Sequence, residues 1–298
     1  MGRLIKAEFR KILTTRLWWA LLIPAVLLAL GWAWGFSALL TDIINDAADE
    51  SIVNELDIRV DELSWSSIAL TRSMNIATIF PMVFGALALA SEISRKTITT
   101  SFLTAPNRST LLGAKAITYV LWGVIYGAVV AAAASLGAMI GSDSKYLPDA
   151  GDWILILLSG IVACLLWTLL GMGVGALLGS PVGTLVLLLI YALIVGPFGE
   201  LVLTGVTEGS HIAGWMPNGS ANGLTGSTAV ALLFDQAQSL VGGRPVPADV
   251  RDDFEQVFRA FAGAPGAYSL LVSGLIFMAW TMLFFVSGLV RNQRRDIT

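Results

Sequence analysis

Between Asp152 and Glu200 the chain carries no charged residue. As one helix this run would be about 70 Å long at 1.5 Å per residue, more than twice the ~30 Å hydrocarbon core of a bilayer. It must therefore fold back on itself in apolar surroundings. Gly179-Ser180-Pro181 is the natural break, because glycine ends helices and proline starts them. The run predicts two membrane spans, 153–178 and 182–203.

Charge gaps elsewhere predict four more spans, at 17–41, 66–91, 116–142 and 267–290. The expected fold is an all-α integral membrane protein with six transmembrane helices in a single domain, 1–298. Composition agrees: the chain is 56% apolar and 13% charged, with a mean hydropathy of +0.77, whereas soluble domains carry about 25% charged residues. Leu17–Leu40 exceeds the roughly 7–15 apolar residues of a secretory signal and reads as a retained first span.

Lysine and arginine set the orientation. Twelve of the 18 fall on one side of this topology, among them Arg95, Lys96, Arg108 and Lys115 in the connection 92–115. The positive-inside rule places that connection and both termini in the cytoplasm. The expected location is the plasma membrane of a bacterial cell. The segments 42–65 and 204–266 are then outer.

Three amphipathic pieces flank the spans. In residues 1–16, Leu4, Ile5, Phe9, Ile12 and Leu13 share one helical face, opposite Arg3, Lys6, Arg10 and Lys11. Such a helix lies in the interface, with its cations at the lipid headgroups. Val53, Leu56, Val60 and Leu63 are spaced for a helix that extends the first span or folds against it. Val250, Phe254, Val257, Phe258 and Phe261 form a clear helical stripe. It closes a long stretch rich in glycine, proline, asparagine and serine that suits an outer lid or a re-entrant element.

Several kinds of chemistry are excluded. No phosphate-binding G-x-x-x-x-G-K-[ST] loop occurs. Cys164 and His211 are single residues of their kind, which rules out an internal disulfide and a multi-histidine metal site. No basic patch points to nucleic acid. Arg72, Glu92 and Glu200 fall at span ends, which argues against a proton-coupled transporter. Gly171, Gly175 and Gly179, like Gly123 and Gly127, recur every four residues and predict close helix packing. Asn218-Gly-Ser220 matches a glycosylation acceptor, a match common by chance.

The connection reads Glu92, then Lys96-Thr97, Leu103-Thr-Ala-Pro106, Arg108 and Leu112-Gly-Ala-Lys115. The chain opens with Ala7-Glu8-Phe9-Arg10-Lys11 before Arg16-Leu17-Trp18. With six spans, an interfacial first helix and a long segment before the last span, this resembles an ABC type-2 transporter permease of the actinobacterial kind. Lys96 stands where that family usually has glycine, and the Pro106-to-Arg108 gap is shorter than its pattern.

The resemblance implies the membrane subunit of an exporter, itself not an enzyme and without a cofactor of its own. ATP and magnesium belong to a separate ATP-binding subunit. A second permease copy, identical or related, completes the assembly. Residues 92–115 then form the coupling segment, with Glu92, Arg95, Lys96, Thr97, Pro106, Arg108 and Lys115 facing the ATPase. The second and fifth spans line the substrate cavity, where Asn75, Thr78, Phe80, Met82, Phe84 and Tyr191 are candidates; ordinary bundle packing is the equal alternative for each. Pro81 and Gly196-Pro197 are expected kinks. The apolar interior suits a drug, lipid or peptide. The competing reading is a membrane scaffold or sensor without transport; a membrane-embedded enzyme fits least.

Overall fold

The computed structural model describes residues 1–49, 62–104, 107–207, 209–240 and 248–294. Every regular element among them is helical. They are α1 (Gly2–Thr14), α2 (Leu17–Asp49), α3 (Ser66–Ala77), α4 (Ile79–Ser94), α5 (Thr97–Thr104) and α6 (Arg108–Gly141). Then come α7 (Ala150–Leu178), α8 (Pro181–Ile190), α9 (Gly196–Val206), α10 (Pro217–Leu240), α11 (Ala248–Ala262) and α12 (Leu270–Arg294). Six segments are long and apolar enough to cross a membrane: α2, α3 with α4, α6, α7, α8 with α9, and α12.

α7 is the axis of the bundle. α4, α6 and α12 all pack along it, and its second half, Leu166–Ala176, is buried. Small residues bring the backbones together. A Cβ on Gly85 would lie 1.9 Å from the Thr168 carbonyl oxygen, and one on Gly171 or Gly175 would lie 2.2 Å from a carbonyl of α4. Gly123 and Gly127 seat α6 against α7 in the same way. Gly179 plays a different part from the packing expected of it. It adopts φ +68° and caps α7 by donating its N–H to the Gly175 carbonyl. Ser180 and Pro181 then open α8, so the predicted break is where the chain turns.

At both prolines expected to kink a span the regular α-helix is interrupted, with a local cause. A proline cannot donate to the carbonyl four residues back and crowds it. Pro81 stands four residues after Ala77, where α3 stops; the Thr78 hydroxyl donates to the Asn75 carbonyl at 2.6 Å. Ahead of Pro197 the chain relaxes into a π-helical turn, Tyr191–Val195.

Span limits differ from expectation where charges sit inside helices. α2 continues to Asp49, so residues 42–49 prolong it; Val53, Leu56 and Val60 lie outside the described residues. α6 begins at Arg108 and absorbs the end of the expected connection. α12 begins at Leu270 and runs to Arg294. α11 forms where the phenylalanine stripe predicted it, but Phe258 turns inward while Val257 and Phe261 are exposed.

α10 packs inside the bundle although it is not one of the six candidate spans. It is long enough to be a span but not apolar enough, and it is wedged among α3, α7 and α12. Its first turn lies deep in the bundle: the Asn218 N–H donates to the Tyr191 hydroxyl at 3.2 Å. Close by in sequence, Trp280 of α12 donates to the Trp215 carbonyl at 2.8 Å. Its last turns reach the far end, where Gln236 bonds both the backbone and hydroxyl of Ser64.

Candidate functional site

α1, the connection 92–107 and the end of α12 meet at one end of the bundle, the basic end. Glu92 ends α4, Lys115 lies two turns into α6, and Glu8 is on the inner face of α1. The Lys115 side chain is fully buried, with 0% of the residue exposed. Its ammonium donates to Glu8 Oε2 at 2.8 Å and to Glu92 Oε1 at 2.6 Å. Lys11 pairs with the same Glu92 oxygen from α1. Two carboxylates thus meet two ammonium groups, which neutralises charges that would be costly to bury alone. Burial pulls the Lys11 ammonium toward its neutral form. The bond to Glu92 and the charges of Glu92 and Glu8 outweigh this and hold its pKa above the ordinary lysine value.

An aromatic layer seals the network from beneath. Phe84 meets Tyr119 and Tyr126 with ring centroids 5.1 and 5.2 Å apart. Phe9 of α1 stacks on Trp122 at 5.5 Å, and the Tyr126 hydroxyl donates to the Trp18 carbonyl at 2.6 Å. α1 is therefore fastened to α4 and α6 by both charge and ring stacking. Arg3, Lys6 and Arg10 stay on its exposed side.

The residues expected to couple to a partner divide into two groups. Arg95, Lys96 and Thr97 are exposed, and Leu103 of α5 is 76% exposed. Glu92 and Lys115 are internal. Arg108 donates to the Gln293 carbonyl of α12 at 2.9 Å and lies 5.2 Å from the Phe102 ring centroid, tying α5 to the last span. Asn107 caps α6 by accepting from the Thr110 N–H at 2.6 Å. Pro106 lies outside the described residues. Lys96 has φ +58°, the sole positive value on a non-glycine residue among those described. It follows the last turn of α4, where a left-handed residue lets the chain leave the helix.

The second site is a cavity of about 650 Å³ between α3, α4, the π-helical turn, α9 and α10, with Trp167 of α7 and Ala260 of α11 in its wall. Of the expected linings it gathers Asn75, Thr78 and Met82. Tyr191 stands beside it, bonded to Asn218. Phe84 belongs to the aromatic layer, and Phe80 packs into the interior clusters; neither lines the cavity. Arg72 and Glu200, expected at span ends, face this space together. Glu200 is 2% exposed and accepts from the amides of Asn218 at 2.7 Å and Asn222 at 3.3 Å. Asn218 is buried, which removes it as a glycosylation acceptor.

Sequence reasoning gave Glu8 and Asn218 no part in either site and missed Asn222. Glu8 could have been found as the lone acid on a basic helix, within the face set by Ile5, Phe9 and Ile12. The i, i+4 asparagines follow from α10, whose polar, glycine-rich sequence gives no span signal. No protein-family model matches the chain, and no curated protein matches it.

Proposed function

We propose that this chain is the membrane subunit of an ATP-driven exporter of the ABC type-2 class, moving an amphipathic substrate outward. ATP and magnesium act on a separate ATP-binding subunit, and two permease copies complete the transporter in the plasma membrane of a bacterial cell, with both termini in the cytoplasm. The observation that carries this reading is the path formed by the second span. At its α4 end Glu92 pairs with Lys115 of α6, across the base of the exposed hairpin, and Asn75, Thr78 and Met82 of the same span line the cavity. A load applied at Arg95, Lys96 and Leu103 therefore enters the element that shapes the cavity wall. The ion network stops α1 and α6 from yielding under that load.

Copurification of the tagged chain with an ATP-binding subunit tests the reading. Reversal of charge at Arg95 and Lys96 together with Leu103→Asp is expected to weaken docking and abolish stimulated ATP hydrolysis, while the chain still folds. Docking and stimulation at wild-type levels in that variant would overturn the assignment. A cysteine introduced at the exposed Ser94 provides a check on sidedness. Labelling of intact cells by an impermeant reagent would place the hairpin outside and remove the coupling role.

A further inference from the structure

The cavity shows an imbalance in hydrogen bonding. Three of its lining residues, Arg72, Asn75 and Thr204, each bury a polar atom that makes no hydrogen bond within the described protein: Nε, Nδ2 and Oγ1 respectively. Buried polar atoms nearly always find partners, and an unpaired one costs about 1–3 kcal/mol, more when charged. Two of these atoms are pure donors and the third can donate. Arg72 and Asn75 are three residues apart, so both project from one face of α3. The Glu200 carboxylate and the Asn75 side-chain oxygen, the acceptors beside them, bond other donors. Glu200 holds the amides of Asn218 and Asn222, and the Asn75 side-chain oxygen Oδ1 accepts from the Thr225 hydroxyl.

The Arg72 side chain is also held in place. It lies across Gly263, which has φ +71° and whose added Cβ would fall 1.7 Å from Arg72 Nη1. Thr78, Glu200, Asn218 and Asn222 also line the cavity, and the apolar part of its wall includes Met82, Trp167 and Leu193.

We infer that this cavity receives an anionic, acceptor-rich group, a phosphate or carboxylate carried on an apolar tail, with the anion against Arg72, Asn75 and Thr204. The inference deepens the exporter reading by naming the chemical class of its cargo. A guanidinium with oriented amide and hydroxyl donors matches such an anion, and charge-assisted bonds are the strong ones. Glu200 balances Arg72 while the cavity is empty, and its oxygens are already occupied by asparagine amides. The apolar wall takes the tail.

The test is direct binding to the purified full chain in maltoside detergent, without any ATPase, read as ligand-dependent stabilisation against heat. Dodecyl phosphate is expected to raise the unfolding temperature in a saturable way. Dodecyltrimethylammonium and inorganic phosphate, which lack the anion and the tail respectively, are not. Arg72→Gln is expected to weaken dodecyl phosphate binding by about tenfold or more, Arg72→Lys by less. Thr204→Val, at the cavity edge, gives a second variant should Arg72→Gln fold poorly, with a smaller loss. Competition by phosphatidylglycerol would assign the anion to a bilayer lipid, and its failure to a smaller amphiphile; both outcomes support the site.

Equal stabilisation by the trimethylammonium compound, or unchanged binding in Thr204→Val and whichever Arg72 variants fold, would overturn it. Binding by a chain that recruits no ATPase would sink the exporter reading and leave the site standing. An ATPase partner with binding indifferent to Arg72 would do the reverse.

Discussion

Lys115 is the residue on which the basic end turns. Its removal as Lys115→Met leaves, among the described residues, Glu8 with no ion partner and Glu92 with Lys11 alone, and breaking a buried ion pair costs about 3–5 kcal/mol. Thermal unfolding in detergent is expected to show that loss. Adding Glu8→Gln and Glu92→Gln should recover part of it; a triple variant no more stable than Lys115→Met would show the charges to be uncoupled. Lys11 makes a pH-dependent contribution. Its pKa is raised in the folded chain, so its stabilisation is complete below the unfolded lysine value of about 10.4. It is lost as pH rises through the raised folded value. Lys11→Arg is expected to move that loss to higher pH, as read from unfolding temperature against pH. Lys96, at φ +58°, carries a strain that glycine would not. Lys96→Gly should stabilise the hairpin by roughly 1 kcal/mol and Lys96→Val should destabilise it.

At the scale of elements, the helices were legible where charge and period act alone. The Gly179-Ser180-Pro181 break and the phenylalanine stripe of α11 were readable, because chain chirality and the helical period act locally. The helix limits were not, because Arg108, Asp42 and Asp46 sit inside helices whose ends project past an apolar layer. The glycine spacing was legible as packing but not as to partner. The structure assigns Gly85, Gly171 and Gly175 to one contact, between α4 and α7. Gly85→Val is expected to cost at least the roughly 1–3 kcal/mol of an overpacked core, since the clash is with backbone. Gly31, which has open space around it, serves as the control: Gly31→Ala should leave the unfolding temperature unchanged or raise it.

For the whole molecule, six apolar runs announced themselves through hydropathy, but the pairing of the two ends through one span did not. Arg72 and Glu200 are 128 positions apart, and only the folded bundle sets them around the same space. The ion network was half visible: Glu92 and Lys115 drew notice as surface contacts, yet both are internal because α1 folds over them and Glu8 supplies the missing charge. α10 carries a consequence for how the protein is made. A helix this rich in glycine, serine, threonine and asparagine gains little by partitioning into lipid by itself, so the translocon has no thermodynamic reason to release it sideways. It acquires its seat only once α12 has been synthesised to form the other wall. A nascent chain halted before Leu270 should therefore leave α10 open to added protease, and completion of the last helix should shut it away.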